Sequence, residues 1–224
     1  NQCQDNIPVP TPRSFFSDIH EDGTPFTILL EEISNAGVMD QTSGAGIQET
    51  ASVFSLLAKL HAHYWETEEL YALDWLPPMN NEMYKTSQTL AKTLIDKFKA
   101  QWSMRVDTET LEAIEEFIPR YPEVLDWAVS CGNQTFIHND ARCENYMFDQ
   151  DGSITMIDFQ YCTRFWGAWD ISNWLSASMK IEDRKKYGHE LVNHYHTELV
   201  DNGVESYSLD QCWHDLKASL AVQS

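Results

Sequence analysis

One stretch in the second half of the chain can fold in few ways. Residues 146–148 (Tyr-Met-Phe) and 154–157 (Ile-Thr-Met-Ile) are short apolar runs separated by a turn containing Asp149, Gln150, Asp151 and Gly152. An Asp-Gly pair between two such runs is a strong hairpin signal, because the turn needs residues that accept a positive φ. Folding the hairpin sets Asn145, at the start of its first strand, close to Asp158, at the end of its second. Asp140 lies five residues before Asn145, on the loop that feeds the hairpin. Local geometry therefore gathers two carboxylates and one carboxamide at one end of a β-hairpin.

That trio is hard oxygen chemistry. Asn and Asp oxygens suit Mg²⁺, which prefers few protein ligands together with water and substrate phosphates. A separate carboxylate nearby can orient a hydroxyl or accept its proton. The spacing is H-x-D-x-x-x-x-N, as His138, Asp140 and Asn145, followed by I-D-F at Ile157, Asp158 and Phe159. This is the order of parts in the phosphoryl-transfer template: a catalytic-loop Asp, then an Asn, then a metal-binding Asp after a strand. A single Asp beside an apolar strand is usually a turn residue or cap, and a single His is usually a satisfied core residue. Their combination around one hairpin carries the functional reading.

The rest of the chain has the makings of a globular, mainly helical body. Hydrophobic residues are 42% of the 224, enough to bury a sizeable core. No window approaches the ~18 apolar residues of a membrane span, and residues 1–12 show no secretory pattern. With 35 acidic and 15 basic residues the formal charge is −20, which disfavours nucleic acid and anionic membranes as partners. The five cysteines, Cys3, Cys131, Cys143, Cys162 and Cys212, are odd in number and widely spaced. Free thiols in a reducing, cytoplasmic setting are therefore expected.

Periodicity assigns the elements. Phe15, Phe16 and Ile19, a turn at 21–24 and the run Phe26–Leu30 read as a hairpin. The glycines of residues 35–46 read as a loop. From about Glu49, Val53, Leu56, Leu57, Leu60 and Tyr64 share a helical face, and Pro77-Pro78 breaks the chain. A second helix over 81–102 carries the stripe Leu90, Leu94, Phe98 and Trp102. A third begins near Asp107, and a fourth covers about 122–131. After a strand-rich island at 135–162 come helices over 170–179 and 182–202, the latter capped by Gly203. Ser208, with Gln211 three residues on, opens the last one.

Four stretches in this order resemble the kinase-like phosphotransferases of small molecules: aminoglycoside phosphotransferases, choline kinases and, closest, the ecdysteroid-kinase-like (CHK) group. They are TPFTILLEEIS (24–34), LAKLHAHYW (57–65), TFIHNDARCENYMFD (135–149) and ITMIDFQYCTRFWGAWDISNWL (154–175). The last two are specific. The resemblance implies an α+β, protein-kinase-like two-lobe fold. Residues 1–34 would be the end of the small lobe and the hinge, and 35–224 the mainly helical large lobe with its catalytic hairpin at 135–162. It also implies roles and cofactors. Asp140 would be the catalytic base, and Asn145 and Asp158 the Mg²⁺ ligands. His138 would hold the catalytic loop, and ATP would bind through the backbone of Glu31 and Ile33. Asp170 would brace the loop, with a helix N-cap as its plainer role. The substrate would be a small-molecule alcohol.

Departures from the pattern narrow the reading. Asn139 stands where these enzymes mostly have Gly and protein kinases have Arg, and Gln160 replaces the Gly of D-F-G; no A-P-E follows. Protein-kinase activity is disfavoured. No Gly-rich loop precedes residue 24, and residues 1–23 contain no lysine. The chain thus reads as a piece beginning near the end of the small lobe, and inactive by itself. A kinase-like binding or scaffold module without catalysis is the alternative, and a metal-dependent phosphohydrolase a more remote one. Trp166, Trp169 and Trp174 read as core, or more sharply as a stacking wall for substrate. The acceptor and the oligomeric state do not follow from the sequence.

Overall fold

The computed structural model describes residues 7–20 and 25–223. Its elements run β1 (Ser14–Ile19), β2 (Phe26–Leu30), β3 (Ala36–Val38), α1 (Ile47–Tyr64), α2 (Glu68–Ala72), α3 (Glu82–Trp102), α4 (Thr108–Phe117) and α5 (Tyr121–Ser130). They continue with β4 (Gln134–Ile137), β5 (Tyr146–Asp149), β6 (Ile154–Met156), β7 (Thr163–Trp166), α6 (Ala168–Ala177), α7 (Ile181–Asp201) and α8 (Leu209–Gln223).

The core is built on α1. Val53, Phe54, Leu57, Leu60 and Tyr64 recur at helical spacing and are fully buried, so one face of α1 is apolar throughout and seeks a partner. It lies along α7, whose Leu191, Val192, Tyr195 and Leu199 belong to the same buried cluster. Gly203 closes α7 with φ 103°: the N–H of Gly203 donates to Val200 O and that of Val204 to Leu199 O. This paired pattern needs a left-handed residue, which glycine supplies cheaply. At the start of α5, Pro122 sits in the first turn, where its missing N–H costs nothing.

Three small sheets organise the rest. β1 and β2 form an antiparallel hairpin, with Ser17 opposite Ile28. The hairpin expected at 146–157 forms as β5 and β6, with Tyr146 opposite Met156 and Phe148 opposite Ile154. β3 adds a third strand to it, Gly37 opposite Phe148, so the stretch read as a loop at 35–46 contains a strand. Its three residues are too few to show alternation, and Gly37 hides β-propensity. β4 pairs antiparallel with β7, Phe136 opposite Arg164. The expected turn at 21–24 falls outside the described residues.

The helix over 81–102 forms with Asn81 as its cap, its side chain accepting from the N–H groups of Met83 and Tyr84. Its stripe does not join the core. Leu90, Leu94 and Phe98 are 61, 44 and 37% exposed, because α3 stands off the main body and its apolar side fronts a cavity shared with α4, α5 and α8. Trp166, Trp169 and Trp174 are buried, so their part is packing. Cys131, Cys143, Cys162 and Cys212 are free thiols, and Cys3 lies outside the described residues.

Gly167 joins β7 to α6 where three elements converge. A Cβ there would stand 2.7 Å from His61 Nδ1 and collide with the Tyr195 hydroxyl. Gly167→Ala should lower the unfolding free energy by ~1–3 kcal/mol, as overpacked sites do. Urea denaturation checks this, and an unchanged midpoint would show that the junction is looser than described.

Candidate active site

The loop between β4 and β5 is fixed from behind by one carboxylate. Asp170, in the first turn of α6, is completely buried. Its Oδ2 accepts from the His138 N–H at 2.7 Å and its Oδ1 from the Asn139 N–H at 2.8 Å. His61 Nε2 lies 3.2 Å from Oδ2, and His61 Nδ1 lies 2.8 Å from the Tyr195 hydroxyl. A buried charge is tolerable only when it is fully hydrogen-bonded, and the helix N-terminus adds a favourable dipole. Asp170 is not the N-cap of α6, which is Gly167. Burial first, and then the charges of Asp170 and Asp140, push the nearby Tyr146 phenol well above its ordinary pKa.

His138 follows the strand into the interior. Its Nε2 is 2.8 Å from Ile157 O, so this nitrogen carries the proton and donates. The ring is buried and lies against Phe159 and Tyr146, with centroids at 4.9 and 6.1 Å. His138 thus ties the loop to the residue before Asp158 rather than reaching outward. Asn139 and Asp158 both adopt left-handed backbone, φ 63° and 62°, a region that Asn and Asp tolerate better than other side chains.

Asn145 brings the loop back to the hairpin. Its Nδ2 donates to Asp140 O and to Asp140 Oδ2, both at 2.8 Å. Its backbone carbonyl accepts from the Ile157 N–H at 3.0 Å, next to Asp158. The Asp140 and Asn145 side chains are therefore linked directly, and Asp158 is tied to them through the backbone of the residue before it. Gln160 Nε2 lies 3.4 Å from Asp158 Oδ2. With Nδ2 held by Asp140, Asn145 keeps Oδ1 as an acceptor that no described group engages. That oxygen and the Asp158 carboxylate are the hard donors that suit Mg²⁺. Among the described residues no group of three or more His, Cys, Asp or Glu could hold a metal ion.

Arg142 escaped the sequence reading. Its Nε stands 3.3 Å from Asp140 and its other arm pairs with Glu144. Burial opposes its charge, but the bond to Asp140 and the charges of Asp140, Glu144 and Asp158 outweigh it and hold the guanidinium pKa above its usual value. The available signal was a lone Arg two residues after Asp140 in an otherwise acidic loop.

Of two cavities, one reaches Asp158 and the other lies apart, among α3, α4, α5 and α8. One, of about 1290 Å³, is lined by β2, residues 31–33 and residues 157–160, so Glu31, Ile33 and Asp158 face one cleft. The N–H of Glu31 is taken by Arg13 O at 2.8 Å. Its carbonyl and the Ile33 N–H have no backbone partner among the described residues. The other cavity, of about 650 Å³, is lined by Leu94, Phe98, Ile114, Phe117, Tyr121 and Val222 among others and is mostly apolar.

A model of the ecdysteroid kinase-like family matches residues 9–205. Among solved structures, the Plasmodium vivax ethanolamine kinase is similar at 15% identity and TM-score 0.59, covering 97% of this chain and 60% of its own. A choline kinase from Cryptosporidium parvum is similar at 17% identity and TM-score 0.59, with 97% and 64% covered. An aminoglycoside phosphotransferase from Streptomyces rimosus, in complex with ADP and streptomycin, aligns at 12% identity and TM-score 0.56, with 98% and 76% covered. These likenesses show the α+β kinase-like fold. The chain spans under two thirds of the length of the two kinases. No curated protein matches it.

Replacing Asp170 by Asn keeps the size but turns one acceptor into a donor facing donors. The variant should lose ~2–4 kcal/mol of stability, the range for breaking a buried charged hydrogen-bond network. Chemical denaturation measures it, and a loss under ~0.5 kcal/mol, the scatter of neutral surface changes, would show that the loop is held by something else.

Proposed function

The chain belongs to the ecdysteroid kinase-like family, and from that premise we propose that the protein is an ATP- and Mg²⁺-dependent phosphotransferase acting on a hydroxyl of a small organic molecule. The observation that carries this reading is the Asp140–Asn145 pair, held 2.8 Å apart and joined by the Asn145–Ile157 backbone bond to Asp158 at the edge of a large cleft. Adenine would lie against residues 31–33, reading the Glu31 carbonyl and the Ile33 N–H. Residues 1–34 would be the end of the small lobe, and 35–224 the large lobe.

Asn145 Oδ1 and Asp158 would hold Mg²⁺, whose role when bound is to neutralise charge on the phosphates. Asp140 would accept the proton of the acceptor hydroxyl as its oxygen forms the bond to the γ-phosphorus. The bond from that phosphorus to the bridging oxygen breaks, and ADP leaves. Arg142 keeps the Asp140 carboxylate from rotating. Asp170 and His138 fix the backbone that carries it, so that the base is in place before the substrate arrives.

An acceptor with an apolar body is proposed from the mostly apolar cavity among α3, α4, α5 and α8, the side of the large lobe to which Asn139 connects through Tyr84. An inactive scaffold would be expected to lose a ligand or the base, whereas Asp140, Asn145 and Asp158 are present and connected.

Asp140→Ala in the full-length protein should lower ADP release in the presence of an acceptor by about 10²–10⁴-fold, the usual contribution of a positioned base. MgADP affinity by calorimetry should change by less than about threefold, since the nucleotide contacts lie elsewhere. Full turnover after the change, or loss of nucleotide binding, contradicts the assignment.

A further inference from the structure

Asn139 does more than occupy a left-handed position. Glycine would adopt φ 63° at no steric cost, so the side chain needs its own account. Its Nδ2 donates to the Tyr84 hydroxyl at 2.6 Å and to Tyr161 O at 3.0 Å, and its Oδ1 accepts from Trp169 Nε1 at 2.7 Å. The Tyr84 hydroxyl in turn donates to Tyr161 O at 3.0 Å. One carboxamide thus joins the first turn of α3, the segment after Asp158 and the first turn of α6. Its own N–H is held by Asp170, and the next residue in the chain is Asp140.

Elsewhere α3 is held by polar contacts at its surface: Lys85 to Asp126, Gln88 Nε2 to Pro119 O and Lys99 to Glu115. None of its residues is buried, and its apolar side fronts the cavity rather than the core. Tyr84 attaches it to the catalytic loop and to the segment after Asp158. Ser87 and Gln88, one turn further on, already line the cavity, and so does Tyr121. Burial pushes the Tyr84 phenol up to about 12, so its proton stays in place as the donor to Tyr161 O throughout the neutral range.

We infer that Asn139 is a positioning residue that couples α3 to Asp140, so that the placement of α3, and hence occupancy of the cavity beneath it, sets where the Asp140 carboxylate stands. The path is short: Tyr84 hydroxyl, Asn139 carboxamide, the 139–140 peptide. It differs from the Asp170 brace, which holds the same backbone from the core side and does not reach α3. That Asp140 acts as a base is the reading given above. The link itself is read without substrate, so failure of either claim shows separately.

The side-chain amide of Asn145 reports Asp140 directly, because it donates to both Asp140 O and Asp140 Oδ2. The Trp169 indole N–H reports Asn139 Oδ1. Both resonances can be followed by ¹⁵N NMR in the 224-residue chain, in Tyr84→Phe, Asn139→Gly and the double variant. Tyr84→Phe keeps the ring and removes only the hydroxyl; it should move both resonances beyond their linewidths. Asn139→Gly should raise solvent exchange of the Trp169 indole proton about tenfold, the equivalent of one hydrogen bond. In the Asn139→Gly background, adding Tyr84→Phe should leave the Asn145 amide where it is. Two outcomes overturn the inference: an Asn145 amide unmoved by Tyr84→Phe, or one moved equally with and without the Asn139 side chain. If Asn139→Gly does not fold, the Tyr84→Phe spectrum alone decides.

Discussion

A single buried carboxylate sets the geometry of everything around the candidate site. Asp170 accepts from two consecutive amides, His138 and Asn139, and meets His61 on its other side. Two neighbouring N–H groups can point at one carboxylate only if the chain turns sharply there. The left-handed Asn139 is that turn. Asp140 emerges from it already aimed, and the Asn145 amide closes the loop onto it. Without Asp170, two buried donors would lose their acceptor, at about 1–3 kcal/mol each, and the loop would have no reason to keep this shape.

The second left-handed residue, Asp158, completes the arrangement from the hairpin side. Backbone of this kind is stored at functional sites because the surroundings over-determine it. Here the surroundings are specific: His138 holds Ile157 O on one side of Asp158, and Asn145 O receives the Ile157 N–H on the same residue. The hairpin, its extra strand β3 and the loop therefore form one connected unit, and the helical pair α1 and α7 is the platform beneath it. His61 and Tyr195, one from each of these helices, carry the platform's position to Asp170.

Much of this was legible in the sequence, and the reasons are physical. The hairpin at 146–157 was readable because its turn chemistry and its apolar runs point the same way. The order of Asp140, Asn145 and Asp158 was readable because the hairpin length fixes which ends meet. The α1 stripe was readable because that helix buries one face against the core. The same rule misjudged α3, where Leu94 and Phe98 line a cavity and Leu90 is exposed; periodicity marks an apolar face without saying what covers it. β3 was hidden by its glycine, and β7 by the absence of alternation in Thr-Arg-Phe-Trp. The parts played by His61 and Tyr84 depend on partners far along the chain, which no local pattern records.

The kinase-like fold supplies the frame, and the specific connections of Asn139, Asp140 and Asn145 supply the chemistry this account assigns. The most direct test is ³¹P NMR of the full-length protein with MgATP and a panel of apolar and cationic alcohols. The account predicts a phosphomonoester that accumulates in step with ADP, strongest for acceptors with an apolar body. ADP accompanied only by inorganic phosphate, or no ADP with any acceptor, would contradict it.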